Sequence, residues 1–282
     1  MLPISVLVLT RNEQQDLPGC LASVRWCNDV HVLDSLSTDD TVAIARSFGA
    51  QVVARAFDGY ASQRNFGLHN IAYQHGWVLM LDADERVPAS LLHQLESFIG
   101  TAGADVAAGR IRRRDFWWDT WLKHAQLSPY YLRLVRPERV RYEREVNEVL
   151  VVDGATRDLD GYFEHYPFSK GLDHWIAKHN VYSRMEAELI AGGSLPEPSW
   201  RIALFGPDFN QRRLHQKGIL YTLPGRPFIK LAYMIFFRRA FLDGWAGIRY
   251  SILQAVYEYF IVLKTRELKQ RTRIPPGRPS QT

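Results

Sequence analysis

The chain has 282 residues, 46% of them apolar and 12% aromatic, enough for one α/β domain with a substantial extension. Its two cysteines, Cys20 and Cys27, have no histidine cluster beside them, which excludes a disulfide framework and argues against a zinc site. The net charge of +5 hides a gradient: residues 1–100 carry 6 Lys and Arg against 11 Asp and Glu, whereas residues 212–282 carry 14 against 3.

In chain order, residues 4–9 form a short β-branched run that fits a buried strand. Asn12 is expected to cap a helix that turns Leu17, Leu21 and Val24 inward. A second strand covers 30–33 and ends at Asp34. Ser37 or Thr38 starts a second helix with Val42, Ala45 and Phe48, and Gly49 stands at its left-handed end. Strand 51–54, a helical segment 61–73 and strand 77–81 follow, the last running into Asp82-Ala83-Asp84-Glu85. Pro88 opens the next helix, with Leu91, Leu92, Leu95 and Phe98 inward, and 106–111 is a fifth strand.

This alternation predicts an α/β fold, a mostly parallel sheet flanked by helices in the manner of a nucleotide-binding domain. Ligands of such sheets bind beyond the C-terminal strand ends. Three polar clusters fall there: Thr10 to Glu13, Asp34-Ser35, and Asp82 to Asp84. Past residue 112 the alternation breaks. A basic run, Arg112 to Arg114, precedes Phe116, Trp117, Trp118 and Trp121, and a helix is expected over 171–191. Helices over 228–237 and 247–263 have basic flanks and large apolar faces. The organisation expected is a ligand-binding α/β half over 1–111, a second half over 112–200, an amphipathic helical extension over 201–270 and a tail over 271–282. At the N-terminus no leader pattern is evident, and no run reaches 18 uninterrupted apolar residues.

Residues i and i+2 of an extended chain point the same way, so Asp82 and Asp84 can aim two carboxylates at one spot. Hard oxygen ligands of this kind suit Mg²⁺ or Mn²⁺, which take further ligands from substrate phosphates. A metal there neutralises a diphosphate leaving group. Paired acids on a solvated turn are the plain alternative; delivery by an apolar strand to the ligand-binding edge favours the functional reading. Asp34 could accept hydrogen bonds from a base or ribose, while Asp39 and Asp40 read as turn or cap residues. Glu13 could serve only the helix dipole. Gln63 and Arg64 form a polar patch in which Arg64 reaches a phosphate or lies on the surface.

The chain resembles family 2 inverting glycosyltransferases, and within them the bacterial group of lipopolysaccharide core β-glucosyltransferases. The resemblance is carried by Ile4-Ser-Val-Leu-Val-Leu-Thr-Arg-Asn-Glu13, Val32-Leu-Asp-Ser-Leu-Ser-Thr-Asp39, Gln63-Arg-Asn65 and Met80-Leu-Asp-Ala-Asp-Glu85. Later segments also match: Tyr131-Leu-Arg-Leu-Val-Arg136, Glu145-Val-Asn-Glu148, His165-Tyr-Pro-Phe168 and Phe241-Leu-Asp-Gly244. It implies a GT-A fold with a UDP-sugar donor at Thr10, Asn12, Glu13, Asp34, Gln63, Arg64 and Asp82. It implies a divalent cation at Asp82 and Asp84, and inversion by direct displacement with glucose as the first guess. Such chemistry needs a general base. The group's usual histidine before the glutamate is Asn147 here, which leaves Glu148 as the candidate base, with a structural ion pair as its alternative. The usual glycine after Ser35 is Leu36. His165 and Arg136 are placed on the acceptor side, a core histidine being the other reading of His165.

The implied acceptor is a glycolipid or lipopolysaccharide core. The segment Arg226-Pro-Phe-Ile-Lys-Leu-Ala-Tyr-Met-Ile-Phe-Phe-Arg-Arg239 suits an anionic membrane interface, with long basic side chains reaching headgroups. A buried helix or a homo-oligomer interface would use the same composition. The expected location is cytoplasmic, at the inner face of the membrane. A sugar nucleotidyltransferase is the competing enzyme class, but the glycine-rich loop it needs after strand one reads Thr-Arg-Asn-Glu-Gln-Gln-Asp. Nucleic acid is not expected as a partner, because the ligand-binding edge is acidic and no nucleic-acid module stands out.

Overall fold

The structure, a computed structural model, describes residues 2–143, 149–193, 197–207 and 209–273. The chain divides into two compact units. The first joins the chain up to Asp119 to Ser128–Lys170; the second joins Thr120–Leu127 to the chain from Gly171 on. The boundary expected near residue 200 therefore falls earlier, between Lys170 and Gly171.

The first unit is built on β1 (Ile4–Thr10), β2 (Val30–Asp34), β3 (Gln51–Ala54), β4 (Trp77–Asp82), β5 (Glu85–Arg86) and β6 (Val106–Trp117). A short strand, β7 (Thr120–Trp121), belongs to the second unit. The first unit continues with β8 (Tyr131–Val135), β9 (Val140–Glu143), β10 (Val149–Val152) and β11 (Ala155–His165). The sheet order is β3-β2-β1-β4-β8-β6-β11-β5. β3, β2, β1 and β4 are parallel, β8 runs against β4 and β6, and β11 is parallel to β6. β5 closes the far edge antiparallel to β11, pairing Glu85 with His165. β9 and β10 form a separate antiparallel pair.

The helices are α1 (Leu17–Ser23), α2 (Thr41–Ser47), α3 (Tyr60–Asn70) and α4 (Ala89–Thr101). β1 and β4 are apolar at nearly every position because both sheet faces are covered. On one face Ile4, Val6, Val8, Leu79 and Leu81 meet Leu17, Leu21, Leu91, Leu95 and Phe98. On the other, Leu7, Leu33, Val78 and Met80 meet Leu68 of α3. Gly67 lets α3 close on the sheet, since a Cβ there would lie 2.8 Å from Leu7 Cδ2.

Two helix starts differ from expectation. Asn12 does not cap α1: it takes the left-handed conformation, φ +54°, and its Oδ1 accepts the Thr38 amide at 2.8 Å. Asp16 holds the position before α1, and α2 begins at Thr41 rather than near Ser37. The reason is a lacing of the two loops. Ser37 Oγ accepts the Asn12 amide at 2.8 Å, Thr41 Oγ1 accepts the Glu13 amide at 2.7 Å, and Asp39 accepts the Gln14 amide at 3.2 Å. These bonds consume the polar groups that would otherwise cap helices. Leu36, in the position where the resembling group carries glycine, also sits at φ +56° with its side chain exposed.

The second unit contains α5 (Gly171–Ala191), α6 (Trp200–Phe205), α7 (Phe209–Thr222), α8 (Arg226–Ala232) and α9 (Gly244–Arg273). α5 lies with this unit because it is tied to α9: Lys264 Nζ donates to Asn180 O at 2.6 Å and to Ser183 Oγ at 2.7 Å. The Phe241-Leu-Asp-Gly244 motif is a clamp. Buried Asp243 accepts the amides of His124 and Ala125 at 2.8 and 2.7 Å and faces His124 Nδ1 at 2.6 Å.

At the sheet's N-terminal end, fully buried Asp29 accepts Ser5 Oγ at 2.5 Å, His31 Nε2 at 2.8 Å and the Gln74 amide at 2.8 Å. Burial opposes its ionisation, but these donors outweigh it and hold its carboxyl below the usual aspartate range. A depressed folded pKa stabilises above the unfolded value, near pH 3.9, and is lost as pH falls below it. Asp29→Asn should therefore cost about 1–3 kcal/mol at neutral pH, with the gap to wild type shrinking below about pH 4 in urea titrations. Leu36→Gly should raise stability by about 1 kcal/mol, because a left-handed leucine carries a steric cost of that order; the urea midpoint reads it.

Candidate active site

The C-terminal edge of the parallel strands brings together the ends of β1, β2 and β4. Thr10 Oγ1 donates to Asp34 Oδ1 at 2.9 Å, and the Ser37 amide donates to Asp34 Oδ2 at 2.8 Å. Asp34 is 1% exposed and ties strand one to the loop after strand two. Ser35, its neighbour, faces the adjoining cleft. That cleft, about 250 Å³, is lined by Leu9, Thr10, Arg11, Ser35, Phe57, Tyr60, Gln63, Arg64 and Asp82. Phe57 and Tyr60 meet edge to face at 5.1 Å across one wall. Gln63 is fixed by Ser35 Oγ, to which its Nε2 donates at 3.1 Å, and by Arg55, which donates to its Oε1.

Both aspartates after β4 are paired with basic side chains. Asp82 accepts Arg133 Nη2 at 2.7 Å on one oxygen and faces Arg64 Nη2 at 3.5 Å on the other. Burial opposes its charge, but Arg133 and Arg64 hold its carboxyl far below the usual range. Arg133 also donates to fully buried Glu85 at 2.9 Å, whose second oxygen accepts the Asp82 amide at 3.0 Å. The guanidinium thus braces the whole turn.

Asp84 faces His165, with Oδ2 at 3.3 Å from Nε2. The other ring nitrogen, Nδ1, is bonded to Asp115, which in turn pairs with Arg113 Nε at 3.1 Å. Burial disfavours an imidazolium here, but the Asp84 charge and the Asp115 bond outweigh it and raise the His165 pKa to about 9. Glu13 lies on the same acidic side, paired with Lys170 Nζ at 2.6 Å. Burial raises its carboxyl to about 7 against the pull of Lys170.

This arrangement fits a divalent cation at Asp84 and His165. A carboxylate oxygen and an imidazole nitrogen 3.3 Å apart are spaced as neighbouring ligands of one ion. A carboxylate on the remote ring nitrogen is the usual support for a metal-bound histidine. Among the described residues no three His, Cys, Asp or Glu side chains form a complete cage. Mg²⁺ and Mn²⁺ sites complete such sets with water and substrate phosphate oxygens.

The edge thus gathers Thr10, Asn12, Glu13, Asp34, Gln63, Arg64, Asp82 and Asp84, together with His165. Arg136 is not among them. Its guanidinium stacks 4.4 Å above the Trp77 ring and its Nε donates to Val106 O, at the opposite end of β4. In antiparallel β8 the chain moves away from the site after Arg133, because Val135 pairs with Val78 near the start of β4. Glu148 lies outside the described residues. Sequence reasoning passed over Arg133, Asp115, Glu85 and Lys170. A lone arginine between leucines, in Leu132-Arg-Leu134, was the available signal for the first.

The sequence profile of Glycosyl transferase family 2 matches residues 5–158. An uncharacterized glycosyltransferase of Rickettsia bellii is 35% identical over 285 residues, covering 94% of this chain and 86% of that protein. The lipopolysaccharide core biosynthesis glycosyltransferase LpsC of Rhizobium meliloti is 28% identical over 197 residues, covering 66% of this chain and 71% of LpsC. Among solved structures, the mannosyltransferase PcManGT of Pyrobaculum calidifontis, in complex with GDP-Man and Mn²⁺, superposes with a TM-score of 0.54 at 16% identity. The superposition covers 94% of this chain and 87% of that one, and it agrees with the GT-A architecture. The matched profile and the 35% identical relative make this chain a member of glycosyl transferase family 2, an enzyme that transfers a sugar.

Proposed function

We propose that this enzyme transfers a hexose, with glucose the first candidate, from a UDP-sugar to a lipid-linked or lipopolysaccharide-core acceptor with inversion at the anomeric carbon. The observation that carries the reading is the acid pair at the end of β4, with Asp82 against Arg64 and Arg133 and Asp84 against His165. The likeness to LpsC supports a lipopolysaccharide-core acceptor, and the Mn²⁺ in PcManGT suits the divalent cation.

In this reading the nucleoside enters the cleft between Thr10, Ser35 and Gln63, where Phe57 and Tyr60 offer aromatic surface to the base. Asn12 and Asp34 fix the loops around it. Arg64 faces the diphosphate. Asp82 holds Arg64 and Arg133 in place and accepts from donor hydroxyls. Asp84 and His165 hold Mn²⁺ or Mg²⁺, which neutralises charge on the departing diphosphate. His165 moves from the acceptor side to the metal in this assignment, and Asp82 moves from the metal to the arginines. Arg136 is given no part in the acceptor site. Glu148, on the strength of its motif alone, takes the proton of the acceptor hydroxyl. That oxygen then forms a bond to the anomeric carbon as the bond to the diphosphate breaks. The enzyme is proposed to work beside an anionic membrane surface, at the inner face of the cytoplasmic membrane.

A thermal-shift panel of nucleotide sugars with and without Mn²⁺ tests donor and metal together. UDP-glucose with Mn²⁺ should raise the midpoint most, and Asp84→Asn or His165→Gln should remove the Mn²⁺-dependent part while leaving the unliganded fold intact. Full metal-dependent turnover by Asp84→Asn would refute the assignment. The pH dependence has a definite sign. A proton on His165 competes with metal, so Mn²⁺ affinity of the UDP complex should rise about tenfold per pH unit towards pH 9 and then level off. Glu148→Gln should lower kcat by about 10²–10⁴-fold with the UDP-sugar affinity unchanged in calorimetry.

A further inference from the structure

α8 (Arg226–Ala232) runs directly into a π-helical turn, Tyr233–Phe237. Two adjacent rows lie along this segment at four-residue spacing, Phe228-Ala232-Phe236 and Ile229-Tyr233-Phe237. All six residues are exposed, with Phe228 at 78%, Phe236 at 74% and Phe237 at 77%. The opposite side is inward and carries charge. Arg226 and Pro227 are buried, and Arg226 Nε pairs with Glu258 of α9 at 2.9 Å, both side chains about 5% exposed. Lys230 follows on that side, its ammonium pushed below the ordinary lysine value by burial and held partly up by Glu258.

A helix bathed in water turns its apolar stripe inward and its charges outward. Here the order is reversed: the ion pair is inside and the phenylalanines are outside. The apolar surface continues past the turn at Arg239 with Phe241, Leu242 and Trp245, the last 72% exposed. Surfaces of this size on one short stretch call for an apolar partner. The charged rim says which. Arg239 and Arg249 are the exposed charges from 225 to 251, and the single acid there, Asp243, is consumed by His124 and Ala125. The rim is therefore purely cationic and complements anionic headgroups. The helical segment from Arg226 to Phe237 rises about 18 Å, short of the roughly 30 Å hydrocarbon core. Among the described residues no helix is long and apolar enough to cross a membrane.

We infer that this inside-out helix and the turn after it dock on an anionic lipid bilayer, lying in its interface with Phe228, Phe236, Phe237 and Trp245 inserted and Arg239 and Arg249 at the headgroups. The inference deepens the proposed function, on which its purpose rests: a lipid-linked acceptor is presented at such a surface.

Flotation of the full chain with phosphatidylcholine vesicles, with and without phosphatidylglycerol, tests it. Wild type should float with the phosphatidylglycerol vesicles and release in high salt. A Phe228→Ser, Phe236→Ser, Phe237→Ser variant should bind at least about tenfold more weakly. Because those side chains are solvent-exposed, it should keep the wild-type circular dichroism melt. Arg239→Gln with Arg249→Gln should abolish the preference for phosphatidylglycerol, providing a second variant that leaves the apolar face intact. UDP calorimetry on the same samples separates the two readings. Loss of UDP binding in wild type would condemn the donor assignment and leave the docking standing. The docking is overturned if wild type ignores phosphatidylglycerol vesicles, if the triple variant binds as well as wild type, or if sedimentation shows a wild-type dimer that the triple variant makes monomeric.

Discussion

The guanidinium of Arg133 lies between Asp82 and Glu85, and the acidic turn after β4 depends on it. Glu85 is fully buried, and a buried carboxylate without a cation costs several kcal/mol. Arg133 supplies the charge, and the Asp82 amide supplies a further donor to Glu85. The turn is thereby fixed in a form that brings Asp84 to His165. Asp82 is held strongly ionised by two guanidinium groups, and Asp84 lies against the His165 imidazole.

Much of the first unit was legible. β1 and β4 stand where the apolar runs place them, because strands covered on both faces read as continuous hydrophobic segments, and the edge strand β3 has its expected bounds. α5 begins and ends at the expected residues, and Gly49 has the expected left-handed backbone. What failed was local capping. Asn12 and Ser37 look like helix caps, yet they bond to each other's loops across about 25 residues of chain. No local pattern encodes that choice. The site's other half was hidden for a related reason. His165 meets Asp84 only because the short β5 pairs antiparallel with the end of β11, matching Glu85 with His165. Arg133 and Arg136 belong to one motif, but three residues along a strand carry Arg136 to the Trp77 end, where it stacks rather than binds.

Composition was informative for the second unit in a different way. The basic, aromatic C-terminal third announced an anionic surface without saying which side chains face it. In the structure the arginine and lysine of α8 turn inward to Glu258, and the phenylalanines turn outward. A helical wheel alone would have assigned the reverse, since the buried side of a soluble helix is normally its apolar side. Glu258, in the middle of α9, decides the orientation by offering the buried cation a partner.

The central proposal is that Asp84 and His165, rather than Asp82, would hold a divalent cation for the donor diphosphate. Electron spin-echo spectroscopy of the Mn²⁺–UDP complex tests it most directly. The account predicts a directly bound ¹⁴N coupling that disappears in His165→Gln and persists in Asp82→Asn. A spectrum with no nitrogen coupling, or one unchanged by His165→Gln, would contradict it.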